Sequence, residues 1–293
     1  MHYIVLDFEW NQPLAEKNTI TEPFFFDSEI IQIGAVKLGE NFVALDEFKT
    51  YIRPQFYPHM NGAVVQLTKI RPQELENAPT FPEAFDAFID WCGDDCGLCS
   101  WGPDDIPVLL DNMLLHGIPT EPFPCCYDLQ RVFAREILRE DRQCSLEDAV
   151  KMLSLPADRA HDALNDTRNT VRICDRIDLA GCIEEYRTAY VGYAEDRRNG
   201  LVAGKIYEDL DTALSDDTVT TLTCPWCGER IPFNLTAGKG STLLGYARCA
   251  EGDEFFATIQ YCRHTGNTCK VKRTVYEMSD DLWDIYCQAK ADK

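Results

Sequence analysis

The stretch "YIVLDFEW", residues 3–10, decides how this chain is read. Tyr3, Ile4, Val5 and Leu6 are apolar strand formers, the pattern of a strand buried on both faces. Asp7 and Glu9 follow two positions apart, with Phe8 between them and Trp10 behind. Alternate side chains on a strand share a face, so two carboxylates stand side by side at the end of a core strand. Two such charges about 5 Å apart repel by roughly 3 kcal/mol at an effective dielectric of about 20. Domains are stable by only about 5–15 kcal/mol, so a positive partner or a retained proton is expected there.

The bulk properties bound what that partner serves. The chain has 293 residues, 45% of them hydrophobic, enough for one large domain and a small one. No run of about 20 apolar residues is present, so no membrane span is expected. The first ten residues carry acids and lack a basic segment followed by an apolar one, so no signal peptide is expected. The cytoplasm is the expected compartment. The 14 cysteines are then read mainly as small core residues or metal ligands. A net charge of −21 disfavours broad binding to a polyanion. A nucleic-acid enzyme with this charge depends on a local basic path and bound cations, and favours short or single-stranded ends.

Outward from residue 10, the order of elements points to a mixed sheet. "EIIQIGAVKL" (29–38) and "LDEFKTYIRP" (45–54) read as two further strands joined by a "GEN" turn. "TFPEAFDAFIDWC" (80–92) has helical spacing with Pro82 in its first turn. "GLCSWG" (97–102) reads as a fourth strand, and "DIPVLLDNMLLHG" (105–117) as a helix stopped by Gly117. "YDLQRVFAREIL" (127–138) and "SLEDAVKMLSL" (145–155) read as helices, the second with Ser145 and Asp148 as a capping box. "HDALNDTRNTVRICDRI" (161–177) is an amphipathic helix with unusual polar residues near its start. Strands first and strand–helix alternation afterwards make an α/β domain over 1–180. Residues 181–218 read as a helical connector and linker, and 219–293 as a small β-rich domain with a terminal helix.

Three acidic elements lie at strand or helix ends: Asp7 with Glu9, Asp104 with Asp105 in "WGPDD", and Asp162 with Asp166 beside His161 in "HDALND". Ligands bind beyond strand ends in open α/β sheets, and separate carboxylates gathered there suit a hard cation. "DFE", "WGPDD" and the H-x-A-x-x-D of "HDALND" resemble, in order and spacing, the three motifs of the DnaQ-like, DEDDh-type 3′→5′ exonucleases. That superfamily includes RNase T, oligoribonuclease, the epsilon proofreading subunit and the Eri-type RNA-trimming enzymes. "FKTYIRP" and "LTKIRPQELENAPTF" are similar to the stretch between the first two motifs. The resemblance covers roughly 1–180 and implies an RNase H-like fold with a mixed five-stranded sheet flanked by helices.

It also implies a chemistry. Two Mg²⁺ or Mn²⁺ ions about 3.5–4 Å apart supply the nucleophile and stabilise the leaving oxygen in such enzymes. Asp7, Glu9, Asp105 and Asp166 are the implied ligands, with Asp105 preferred to Asp104 because W-G-x-x-D marks the Eri-type branch. His161 is the implied general base, since imidazole titrates near pH 6.5. Asp104 and Asp162 are read as helix-capping acids. Phe8, Trp10, Leu67 and Thr68 are the candidate contacts to the terminal nucleotide, by stacking, wedging or backbone; packing is the other reading of Trp10. Lys69, Arg71, Arg131, Arg135 and Arg168 are candidates for a phosphate path. The expected substrate is the 3′ end of single-stranded RNA or DNA, RNA being favoured by the branch alone. The rival readings are a DNA proofreading or repair exonuclease, and a non-catalytic regulator that binds nucleic acid or protein on the same fold.

In the second domain, "CPWCG" makes a zinc knuckle of Cys224 and Cys227. "ARCAEGDEFF" supplies Cys249 but no second cysteine or histidine at the usual spacing. Cys262, His264 and Cys269 lie beyond an intervening strand of about 27 Å at roughly 3.3 Å per residue. Either the zinc-ribbon-like site is rearranged or its metal has been lost. The protein partner of this domain is not legible.

Overall fold

The tyrosine-to-leucine run forms the middle of a long strand, β1 (His2–Asn11), in the computed structural model. The structure describes residues 1–140, 142–188, 190–266 and 268–291. They divide into one unit of Met1–Pro119 with Pro124–Thr188, and a second of Thr120–Phe123 with Ala189–Lys293.

In the first unit β1 pairs antiparallel with β2 (Glu29–Leu38), which pairs antiparallel with β3 (Ala44–Tyr51). On its other side β1 runs parallel to β4 (Cys96–Ser100), which runs parallel to β5 (Cys125–Asp128). A two-residue β6 (Arg187–Thr188) closes the order β3-β2-β1-β4-β5-β6. The sheet is mixed, as expected, and has six strands rather than five. Tyr127 and Asp128 read as the start of a helix because Asp128 caps one: its carboxylate accepts from the Arg131 N–H at 3.1 Å.

Helices α1 (Gly62–Thr68), α2 (Pro72–Leu75), α3 (Phe81–Cys92), α4 (Asp105–Leu115), α5 (Leu129–Phe133), α6 (Leu146–Met152), α7 (Ala163–Cys174) and α8 (Leu179–Cys182) complete the unit. Thr80 and Glu83 make a reciprocal capping box for α3, and Ser145 accepts from the Asp148 N–H at 3.1 Å for α6. No described helix is long and apolar enough to cross a membrane.

One close approach places α7. Tyr3 and Val5 on β1 share a buried cluster with Leu164 and Cys174 of α7. Asp7 and Glu9 continue that alternation toward the same helix. Contact is possible because β2 carries Gly34, where a Cβ would lie 2.1 Å from the Leu164 nitrogen and 2.2 Å from the Ala163 carbonyl carbon. The Thr167 hydroxyl donates to the Gly34 carbonyl at 3.2 Å, and the Ala163 N–H donates to Gln32 Oε1 at 2.9 Å.

The second unit carries a wholly antiparallel sheet. Its strands are β7 (Lys205–Tyr207), β10 (Asn234–Ala237), β11 (Thr242–Arg248), β12 (Glu254–Arg263) and β13 (Cys269–Glu277), in the order β10-β11-β12-β13-β7. A separate hairpin joins β8 (Thr221–Thr223) to β9 (Arg230–Pro232). Short helices α9 (Tyr193–Arg198), α10 (Leu210–Leu214) and α11 (Asp217–Thr220) precede it, and α12 (Asp280–Ala291) ends the unit as expected.

Two features differ from the sequence reading. The sheet is larger than a ribbon, and residues 189–218 belong to this unit rather than to a linker. The acidic "DLDTALSDDT" is polar because it caps: Asp209 caps α10 and Asp216 caps α11. Asp216 also takes hydrogen bonds from Lys205 and the Tyr207 hydroxyl at 2.8 and 2.7 Å. In the same unit the Arg273 side chain, wholly buried, is paired with Asp196.

A side chain at residue 34 has backbone on the far side of it, which cannot rotate away. Gly34→Ala is expected to cost at least the usual overpacking penalty of about 1–3 kcal/mol, read as a lowered urea midpoint. An unchanged midpoint would mean that α7 does not depend on this contact.

Candidate active site

β4 pairs with β1 only as far as Val5 opposite Cys99. Beyond that point the chain turns away at Ser100, whose hydroxyl donates to the Gly102 carbonyl at 2.9 Å. The edge of β1 is thereby left open at Phe8, and the Phe8 N–H donates to Asp105 Oδ1 at 3.2 Å. Asp105 is the first residue of α4 and is buried, whereas Asp104 is exposed and makes no capping bond. Burial and the bond to Phe8 set Asp105 apart from its neighbour.

The third element arrives on α7. His161 lies just before its start in the left-handed region, φ 61°, an uncommon conformation outside glycine. Its N–H donates to Asp166 Oδ2 at 2.8 Å. Glu9, His161 and Asp166 each present a ligand atom within 4.8 Å of the others. Asp162 is the helix cap, as read: it accepts from the Asn165 N–H and takes Lys49 Nζ at 2.6 Å.

The electrostatics follow from this crowding. Burial, then Asp105, Glu9, Asp166 and Asp162, hold the Asp7 carboxyl well above its usual range. Burial, then Asp166, Asp162 and Asp105, push Glu9 up to about 8. Burial pushes Asp105 up to about 7 against the opposing bond from Phe8. Asp166 is also raised, by burial. Four oxygen donors that resist ionising together, with an imidazole at the rim, fit hard divalent cations better than a protein counter-ion.

The nucleotide contacts fare differently. Phe8 is buried, so its ring offers no face to a base, and the stacking expectation is corrected to its backbone alone. Thr68 is buried and its hydroxyl is used inside the helix, donating to the Val64 carbonyl at 3.0 Å, so it is withdrawn as a substrate contact. Leu67 remains exposed at 52% and Trp10 is half-buried. Of the basic candidates, Arg168 pairs with Glu47 and Arg71 with Glu74. Sequence reading missed Gln32, Gly34 and Lys49. The signal for Gln32 and Gly34 was the lone amide and glycine inside the apolar "EIIQIGAV".

A second donor group lies in the other unit, where Cys224, Cys227, Cys249 and Asp253 bring ligand atoms within 4.8 Å of one another. Cys262, His264 and Cys269 are not part of it. The thiols of Cys224, Cys227 and Cys249 are in no disulfide.

Residues 4–174 match the RNase_T exonuclease family, and the chain belongs to that family. It is 26% identical over 168 residues to human 3′-5′ exoribonuclease 1, which is 54% of this chain and 48% of that one. It is 24% identical over 230 residues to the 3′-5′ exonuclease crn-4 of Caenorhabditis elegans, 70% of this chain and 76% of the other. A Mycobacterium tuberculosis relative is 30% identical over 173 residues, of which the match spans 25% of that protein. The chain therefore spans from a quarter to three quarters of these relatives. Among solved structures, the nuclease domain of 3′hExo, a DEDDh family member bound to rAMP, superposes with a TM-score of 0.53 at 25% identity. That match covers 62% of this chain and 93% of the other. Cell-death related nuclease 4 superposes at 0.51 with 22% identity, over 60% and 62%, and shows the shared fold.

Metal removal has a pH signature. Glu9 and Asp105 titrate at about 8 and 7 in the folded chain, against ordinary values of 4.5 and 3.8. The folded state thus binds more protons than the unfolded one between those limits. The contribution of these two acids to stability is fullest below about pH 4 and is lost as pH rises through about 8. Urea midpoints in EDTA are expected to decline from pH 5 to 8, and Mn²⁺ is expected to flatten the slope. An EDTA curve rising with pH would contradict the crowding.

Proposed function

We propose that the chain is a divalent-metal-dependent 3′→5′ exonuclease that shortens single-stranded nucleic acid, RNA in preference to DNA, releasing nucleoside 5′-monophosphates. The observation that carries this reading is the meeting of Asp7, Glu9, Asp105, Asp166 and His161 from three distant segments at one end of the sheet. The preference for RNA rests on two relatives, the human exoribonuclease and the nuclease domain bound to rAMP.

Asp7, Glu9, Asp105 and Asp166 would hold two Mg²⁺ or Mn²⁺ ions. Bound there, such ions lower the pKa of water and offset charge on the phosphate. His161, exposed at the rim, accepts the proton of the attacking water. The bond from its N–H to Asp166 fixes the loop that carries the imidazole. Leu67 is the side chain left to press on the terminal base. In the other unit, Cys224, Cys227 and Cys249 are read as thiolate ligands of one structural zinc ion.

A 5′-labelled single-stranded RNA and its DNA equivalent, incubated with Mg²⁺, are expected to shorten from the 3′ end, the RNA faster. EDTA and Asp7→Ala should each abolish the ladder. A faster DNA ladder would favour the proofreading or repair reading. Intact oligomers with Mg²⁺ and with Mn²⁺ would overturn the enzyme and leave a binder. His161→Ala is expected to lower kcat by about 10²–10⁴-fold, the usual worth of a general base. Asp105→Asn should be severely impaired and Asp104→Asn close to wild type; equal effects would remove the distinction between them.

A further inference from the structure

We propose that Asp253 is the fourth ligand of the zinc site, making it a three-thiolate, one-carboxylate centre. The inference rests on the zinc reading of Cys224, Cys227 and Cys249 and adds the residue that closes the tetrahedron. Two tight turns build the site. In the first, the Cys224 N–H donates to the Glu229 carbonyl at 2.8 Å and the Gly228 N–H to the Cys224 carbonyl at 2.9 Å, with Gly228 at φ 74°. In the second, the Cys249 N–H donates to the Asp253 carbonyl at 3.0 Å and the Gly252 N–H to the Cys249 carbonyl at 3.1 Å, with Gly252 at φ 102°. The Ala250 N–H donates to the Glu229 carboxylate at 2.6 Å and ties one turn to the other.

The second turn places glycine where the first has Cys227, three residues after the leading cysteine. Its donor comes one residue later. Asp253 Oδ2 lies 3.0 Å from Cys249 Sγ and 3.6 Å from Cys224 Sγ. A tetrahedral zinc with bonds of about 2.3 Å to sulfur and about 2.0–2.2 Å to oxygen sets adjacent sulfur and oxygen roughly 3.5 Å apart. The 3.6 Å separation from Cys224 is that of a tetrahedral edge, and the Cys249 thiol, which donates to the same oxygen at 3.0 Å, lies a little inside it. The Asp253 N–H also donates to Cys249 Sγ at 3.2 Å, a contact that steadies a thiolate. Cys224 and Cys249 are buried in the cluster of Leu222, Ile231, Phe233 and Phe255. Trp226 stacks on Phe255 with ring centroids 5.3 Å apart.

The test uses the full chain loaded with Zn²⁺ or, for its spectrum, Co²⁺. Wild type should retain one zinc per chain through gel filtration in excess Mg²⁺. Its cobalt form should show tetrahedral visible bands and near-ultraviolet charge transfer from three thiolates. Asp253→Ala should weaken zinc at least tenfold in competition with a chelator, since even outer-shell partners are worth about 10–100-fold. Asp253→Cys should bind tighter than wild type and gain the charge-transfer intensity of a fourth thiolate. If Asp253→Ala does not fold, Asp253→Cys still decides. A cobalt spectrum of Asp253→Cys identical to wild type, or zinc affinity unchanged in folded Asp253→Ala, would overturn the assignment while leaving the zinc reading intact. Folded wild type that takes up neither metal would overturn both.

Discussion

The missing side chain at Gly34 allows the backbone of α7 to lie directly on β2. Pairing between β1 and β2 sets Asp7 opposite Gly34 and Glu9 opposite Gln32. The same two β2 residues receive α7, through the Thr167 hydroxyl and the Ala163 N–H. One contact thus fixes the acids of β1, the acid of α7 and the imidazole just before α7 in a common frame. Residues more than 150 apart in sequence then need no flexible loop to meet. Rigid elements hold catalytic groups more closely than loops do.

That frame crowds carboxylates at an energetic cost the chain does not offset with its own cations. The Lys49 ammonium is held by Asp162. Arg168 is turned to Glu47. The four inward acids are raised first by burial and then by one another, and Arg159 beside Glu9 opposes this only in part. A protein selected for stability alone would pair or remove them; local conflict of this kind marks functional sites. The charge of −21 fits the same logic, since a site completed by mobile cations does not need a basic surface to attract its first partners.

Legibility in the sequence tracked how local each signal was. β1, the capped helices α3 and α6 and the three acidic motifs rest on neighbouring residues, and they were readable. β5 was not, because "CCYD" is four residues long and runs straight into the helix that Asp128 caps. The acidic segment before residue 218 was misread because capping and solvation leave the same composition. Phe8 and Thr68 were misassigned because motif position says nothing about burial. Gln32 and Gly34 matter through α7, more than 120 residues away, so an apolar strand pattern hid them. Asp253 is hidden in the sequence because it stands one residue past the usual ligand spacing and is neither cysteine nor histidine.

The two donor clusters differ in what they cost when empty. Thiols are neutral at pH 7 unless something stabilises the thiolate, and burial raises Cys224 and Cys249 further above their ordinary value. Two buried thiols and the exposed Cys227 therefore sit together without mutual charge repulsion, and the sulfur site is assembled by packing and by the hydrogen bonds of its two turns. Carboxylates are charged at pH 7 unless forced to hold protons, so the acidic site is assembled only by retaining protons or by binding cations. Both sites release protons when filled. Only in the acidic one does the empty state strain the fold, which couples the stability of the sheet end directly to the ions its chemistry requires.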